Sequence, residues 1–298
     1  MSPPLFRVVA LLLGLGSLAI AARAQVTFDI NIIPRTGENF DTAAFHLWLP
    51  DHAGPVRGIA VVLDGINVDG RHLAGRVQWQ NFARDHELAL VACYFATDDL
   101  SPTNIYYRQA EYGSGRALLA GLAALGKASG HPEMKTVPLF LLGFSAGGQF
   151  SYSFACFCPG RTAAFVCNKS GNFQPPADAT VRAIPGLFIA GEKDAVFRSA
   201  AIREVYVKNR QLGARWCLAV EPKYGHNTAN ANDLALPFFE AVMRSRERPA
   251  ADRTGIVLDL DHHQMIPPGV PPKEADNTCW FPDEATMAVW NHFVTTPR

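Results

Sequence analysis

Residues 137–157 read VPLFLLGFSAGGQFSYSFACF. An apolar run ends at Leu142, Gly143-Phe144-Ser145-Ala146-Gly147 follows, and a segment of helical character takes over. A G-x-S-x-G turn between a strand and a helix holds its serine in strained backbone. The glycines two before and two after avoid side-chain overlap, and the hydroxyl is lifted above the strand end. A helix opening at Ala146 would also aim free amides, and the positive end of its dipole, at an oxyanion forming beside the serine. Phe150, Phe154 and Phe157, with few charges between them, predict that this helix is buried. Ser145 is therefore the candidate nucleophile. The competing reading is a glycine-rich turn with no chemistry.

The segments on either side repeat one pattern. Residues 58–64 (GIAVVLD), 88–95 (LALVACYF), 163–167 (AAFVC), 186–190 (GLFIA) and 215–221 (RWCLAVE) are short apolar runs bounded by turn residues. Runs of this kind suit strands covered on both faces, as in a parallel sheet flanked by helices. Leu118, Leu122 and Leu125 mark a helix over about residues 111–127. Ile202, Val205 and Tyr206 mark a second, ended by Gly213, and Phe238, Phe239 and Val242 a third. Residues 26–33 and 44–49 read as an antiparallel hairpin leading into the sheet. Residues 252–283 read as an irregular, proline-rich tail before a final helix over 284–293. The expectation is an α/β fold, a mostly parallel central sheet with helices on both faces, forming one domain over residues 25–298.

A serine hydroxyl needs a base to take its proton and a carboxylate to orient that base. Four histidines follow Ser145: His226, His262, His263 and His292. His226 lies in Tyr224-Gly225-His226-Asn227, just past the last clear strand, at the sheet edge where the serine turn opens. His262 and His263 fall in the tail and His292 on the final helix. The acid should follow the preceding strand, where Gly191-Glu192-Lys193-Asp194 stands. Asp194 is preferred because the turn would carry its short side chain back over the sheet edge; Glu192 and Asp178 are the alternatives. Ala146 N–H is one expected oxyanion donor. Ile66 N–H, in the loop Asp64-Gly65-Ile66-Asn67, is the other, with Gly65 and Asn67 as alternatives. Tyr106, Tyr107 and Phe173 lie in loops opening on the same edge and are candidates either for lining a substrate pocket or for loop packing.

The first 24 residues have a basic Arg7, an apolar stretch over 8–22 and a small-x-small site at Ala22-Arg23-Ala24. They read as a secretory signal peptide cut before Gln25, which implies a secreted or periplasmic protein with no membrane span in the mature chain. Formal net charge is zero, so nothing steers the chain toward nucleic acid. Six cysteines in an exported chain allow disulfides, with the pairing left open. No cysteine or histidine pair shows metal spacing, and no cofactor or metal is expected. Asn168-Lys169-Ser170 matches a glycosylation sequon but sits at a strand end, where it is expected to be incidental.

The segment GFSAGGQFSYSFACFCPGRTAAFV, with PGLFIAGEKD at 185–194 and GARWCLAVEPKYGHN at 213–227, resembles exported α/β-hydrolase esterases of the polyhydroxyalkanoate depolymerase-like and feruloyl-esterase-like group. The resemblance covers about residues 56–245. It implies the α/β-hydrolase fold, ester hydrolysis through an acyl-enzyme, and Ser145, Asp194 and His226 as the catalytic triad. The implied partner is a small or polymeric ester. Many members of that group carry His-Gly at the oxyanion loop where this chain has Asp64-Gly65. A peptidase of the same fold and a non-catalytic hydrolase-like binding protein are the alternatives. Haloalkane and epoxide hydrolases place Asp at the turn, where this chain has Ser145.

Overall fold

The computed structural model describes residues 26–51, 54–101, 104–262, 264–267 and 277–296. The signal-peptide reading of residues 1–24, the cut before Gln25, and His263 lie outside the described residues.

The elements, in chain order, are β1 (Val26–Asn31), β2 (Thr42–Leu49), β3 (Gly58–Leu63), α1 (Val77–Asp85), β4 (Leu88–Ala96), α2 (Ser114–Ser129), β5 (Leu139–Phe144) and α3 (Ala146–Phe157). They continue with β6 (Thr162–Asn168), the short α4 (Ala179–Arg182), β7 (Gly186–Gly191), α5 (Val196–Arg210), β8 (Trp216–Glu221) and α6 (Asn232–Arg246). The last are β9 (Ile256–Asp259), β10 (Gln264–Ile266), β11 (Thr278–Phe281) and α7 (Glu284–Thr295).

Eight strands form one sheet in the order β1-β2-β4-β3-β5-β6-β7-β8. β2 runs antiparallel to both β1 and β4, and every pairing from β4 through β8 is parallel. This is the α/β-hydrolase arrangement that the resemblance implies.

The apolar runs are covered on both faces. Along β3, Ala60 and Val62 face one layer, whereas Ile59, Val61 and Leu63 face the other, as a period of two requires. Trp79 and Phe82 of α1, Phe238 and Phe239 of α6 and Trp290 of α7 fill the first layer. Leu118 and Leu122 of α2, with Phe150 and Phe154 of α3, fill the second. On that second side an aromatic cluster extends toward α5. There Phe188 meets Phe165 (ring centroids 5.8 Å), Phe173 (5.4 Å), Tyr206 (6.3 Å) and Trp216 (5.1 Å).

Three expectations need correction. β5 runs two residues past Leu142, because Gly143 and Phe144 still pair with Cys167 and Asn168 of β6. α5 stops at Arg210, and Gly213 (φ 81°) lies in the turn beyond it. The tail is not irregular throughout: β9 lies between β10 and β11 in a small antiparallel sheet. Strands of three or four residues are too short to show a readable alternation, and pairing with distant segments is what defines them. β11 attaches this sheet to the main one, with the Cys217 and Cys279 thiols 3.1 Å apart. All six cysteines are free. Among the described residues no helix is long and apolar enough to cross a membrane.

Phe188 is fully buried at the centre of the aromatic cluster. Phe188→Ala should therefore lower unfolding stability by about 3–5 kcal/mol, read from urea denaturation.

Candidate active site

Three strand ends converge on one edge of the sheet. Ser145 follows β5 directly and holds φ 52°, ψ −117°, an unfavourable conformation for a residue with a side chain. The surroundings leave it no alternative. A Cβ on Gly143 would overlap the backbone of Gly147, one on Gly147 would meet Leu63 Cβ at 2.8 Å, and one on Gly148 would overlap the Ser170 hydroxyl. The start of α3 can approach β5, the end of β3 and the segment after β6 this closely only because those three positions lack side chains. Ser145 N donates to Asn168 O (2.9 Å), which anchors the turn to β6.

His226 comes from the loop after β8. Its Nε2 lies 3.0 Å from Ser145 Oγ and its Nδ1 3.0 Å from Asp194 Oδ2. An ionised carboxylate only accepts, so Nδ1 carries the hydrogen in this pair and Nε2 is left to accept from the serine hydroxyl. The imidazole also lies against the Phe144 ring, with centroids 4.8 Å apart.

Asp194 follows β7, and its side chain is 2% exposed. Its other oxygen, Oδ1, accepts from Ala195 N (2.6 Å) and Arg198 Nε (2.9 Å). Burial pushes this carboxyl up. The hydrogen bonds from Arg198, His226 and the Ala195 amide outweigh that and hold it below its ordinary value. Glu192, the alternative acid, instead accepts from Lys223 N (2.6 Å). Asp178 caps α4 by accepting from Val181 N (2.9 Å).

The acid and histidine loops are joined to each other. Glu192 N donates to Glu221 O (3.0 Å) and Lys193 N to Tyr224 O (2.9 Å). Beneath them lies an ion pair not anticipated from sequence. The Lys169 ammonium, with a side chain 0% exposed, meets Glu221 Oε2, whose side chain is 2% exposed. Glu221 Oε1 accepts from Asn230 N (2.9 Å) and Asn230 Nδ2 (3.2 Å), closing the far end of the histidine loop. Burial draws the Lys169 ammonium below the ordinary lysine range against the pull of Glu221. The sequon residues Asn168, Lys169 and Ser170 are all buried.

In the loop expected to hold the oxyanion, Asp64 Oδ1 accepts from its neighbour's amide, Gly65 N (2.7 Å), and so occupies that donor. A Cβ on Gly65 would lie 3.8 Å from Ser145 Cβ, so the loop passes directly beside the serine. Asn67 (φ 55°) fastens the loop to Thr97 through Nδ2 to Thr97 O (2.9 Å) and Thr97 N to Oδ1 (3.0 Å). Ile66, half exposed, follows Gly65, and Ala146 begins α3.

The two tyrosines pack the loops. Tyr106 donates through its hydroxyl to Leu100 O and to Ser101 O (2.6 Å). Tyr107 stacks on Phe95 (5.6 Å) and places its hydroxyl 3.3 Å from Gly65 O. Phe173 packs edge-on against Tyr152 (5.3 Å) and lines a cavity against α5. A different cavity, of about 260 Å³, reaches the serine turn. Asp64, Phe144, Asn168 and Thr228 line it from the strand ends, and Trp79 and Asn232 from α1 and α6. No motif announces it, because its walls come from five separate segments.

No family model matches the chain. A search of curated proteins finds acyl-coenzyme A thioesterase 1 of Mus musculus, 32% identical over 142 residues, 45% of this chain and 30% of the mouse protein. The Rattus norvegicus counterpart is 32% identical over 127 residues, 42% of this chain and 26% of its own length. The match thus spans less than a third of these relatives. Among solved structures, a poly(3-hydroxybutyrate) depolymerase from Bordetella parapertussis superposes with TM-score 0.53 at 19% identity, covering 77% of this chain and 92% of its own. An S-formylglutathione hydrolase from Agrobacterium tumefaciens gives 0.55 at 14% identity, with coverages of 74% and 95%. A ferulic acid esterase gives 0.55 at 13% identity, covering 73% and 98%.

Two outcomes are expected. Lys169→Met strands the Glu221 carboxylate and should cost about 3–5 kcal/mol in urea denaturation, whereas Lys169→Met with Glu221→Leu should recover part of that loss. The lowered Asp194 value gives stability that is complete above the ordinary carboxylate value, ~3.9, and is lost as pH falls through the folded-state value. Asp194→Asn should therefore flatten the fall of stability with pH below about 4, measured by unfolding at a series of pH values. These features sit on the sheet edge of a chain whose architecture, from strand order to serine turn, is the α/β-hydrolase fold.

Proposed function

We propose that this chain is an exported serine hydrolase of carboxylic esters. The observation that carries the reading is the relay from Ser145 Oγ through both His226 nitrogens to Asp194, each step 3.0 Å. In the proposed reaction His226 Nε2 takes the Ser145 proton as Oγ attacks the ester carbonyl. The amides of Ala146 and Ile66 stabilise the tetrahedral oxyanion, and Asp194 stabilises the imidazolium. His226 then protonates the departing alkoxide, and a water activated by the same histidine releases the acid from Ser145. Asp194 stays ionised throughout, as its hydrogen bonds with Arg198 and Ala195 require. Export rests on the basic, apolar and small-x-small order of residues 7–24.

The similarity to acyl-coenzyme A thioesterases favours thioesters as a second reading, since the same acyl-enzyme forms from either substrate.

Ser145→Ala should reduce kcat for a p-nitrophenyl ester by ~10⁴-fold or more, and Asp194→Asn should reduce it by a comparable factor with the fold intact. Retention of most activity by Ser145→Ala would overturn the assignment. A panel of p-nitrophenyl esters beside acyl-coenzyme A thioesters, compared by kcat/KM, separates the two substrate classes.

A further inference from the structure

β8 is the last strand of the main sheet, so its outer edge has no strand of that sheet beside it. Side chains from the C-terminal segment cover that edge instead. Leu218 N donates to Cys279 Sγ (3.3 Å), and Leu218 O accepts from Trp290 Nε1 (2.8 Å). β11, which carries Cys279, is also held by α5. Tyr206 Oη donates to Thr278 O (2.6 Å), and Nη2 of the buried Arg210 donates to Thr278 Oγ1 (2.8 Å). The cover matters for two reasons. A bare strand edge is a template for pairing with another chain. β8 also ends at Glu221, from which the chain runs on to His226.

Cys217 stands beside Leu218 on β8 and is buried, as is Cys279. Their thiols lie 3.1 Å apart. Of the six cysteines, these are the only two whose sulfurs meet. Cys167 Sγ instead donates to Gly148 O (3.2 Å) and Cys156 Sγ to Pro175 O (3.8 Å). A disulfide bond is about 2.05 Å long, so closure asks each sulfur to move by only about half an ångström. The hydrogen bonds at Leu218 and Thr278 keep the backbone beside both cysteines in place and so present the sulfurs to each other.

We propose that Cys217 and Cys279 are a disulfide site, reduced in this structure and closed when the chain folds in an oxidising medium, and that the bond locks the C-terminal cover onto β8. The reaction is thiol–disulfide exchange, with a small-molecule or protein disulfide as oxidant. One cysteine thiolate attacks a sulfur of the oxidant and expels a thiolate. The second cysteine then displaces the resulting mixed disulfide. The pair loses two protons and two electrons, and the oxidant ends as two thiols. Because both sulfurs are buried in the finished fold, the exchange belongs to folding, before β11 closes over β8. The proposal draws on the export reading only for where the oxidant is met, and it is independent of ester hydrolysis.

The full chain is folded once in a mixture of reduced and oxidised glutathione and once in dithiothreitol. Each sample is then unfolded in urea, alkylated with iodoacetamide without reductant, digested and mapped by mass spectrometry. The glutathione sample should yield the Cys217 and Cys279 peptides joined, two hydrogens lighter than their sum, with the other four cysteines alkylated. The dithiothreitol sample should show six alkylated cysteines. The bond spans 62 positions of sequence, so the glutathione sample should also melt higher by about 10 °C. Cys217→Ala with Cys279→Ala should give one and the same Tm in both buffers. Six alkylated cysteines in the glutathione sample, a joined pair other than Cys217 and Cys279, or an equal wild-type Tm in both buffers overturns the proposal. None of these readouts uses turnover, so loss of the ester-hydrolase reading would leave them unchanged.

Discussion

The close approach of β5 to the first turn of α3 governs the rest of the site. Gly143, Gly147 and Gly148 have no room for a Cβ, and between them Ser145 is held at positive φ. Such a conformation persists only where the surrounding packing over-determines it. Here β5 is the central strand between β3 and β6, with covered faces on both sides, and α3 is buried along Phe150, Tyr152 and Phe154. The hydrophobic layers thus hold a local backbone strain that the serine turn could not sustain alone. Because the turn cannot relax, the position of Oγ is set before any ligand arrives.

The histidine and acid occupy loops, which are ordinarily the least constrained parts of a fold. Their stiffness here comes from backbone bonds between the two loops and from the Lys169–Glu221 pair beneath them. A buried ion pair adds little to net stability when compared with apolar replacements, but it sets position strictly, since each charge must keep its partner. Glu221 also ends β8 and accepts from Asn230, so one side chain connects the sheet with both ends of the histidine loop. Arg198 does similar work for Asp194: it occupies one carboxylate oxygen and leaves the other facing His226.

Tyr107 supports the loop beside Ser145 from the α2 side. On the α1 and α6 side Trp79, Leu142 and Phe144 share the cavity wall with Asp64, Arg76, Gln78, Asn168 and Asn232, so polar and apolar surface are mixed there. Asp64 secures the Gly65 amide in the loop that passes beside the serine.

The sequence by itself determined the strand and helix alternation, the serine turn and the order in which Ser145, Asp194 and His226 follow. Each of these is written in contiguous residues: apolar runs of strand length, glycines at fixed offsets, and polar residues at strand ends. Only the tertiary structure decided that the three side chains meet, since segments 32 and 81 residues apart are brought within 3.0 Å by parallel pairing across the sheet. It also decided what no local pattern encodes. Tyr106 and Tyr107 became packing residues, Lys169 found Glu221, and the short strands β9 to β11 paired. These outcomes depend on which distant segments share space. The physical reason is that periodicity and turn chemistry report a residue's own neighbours along the chain, whereas the partner of a buried charge or ring is chosen by the packing of the whole.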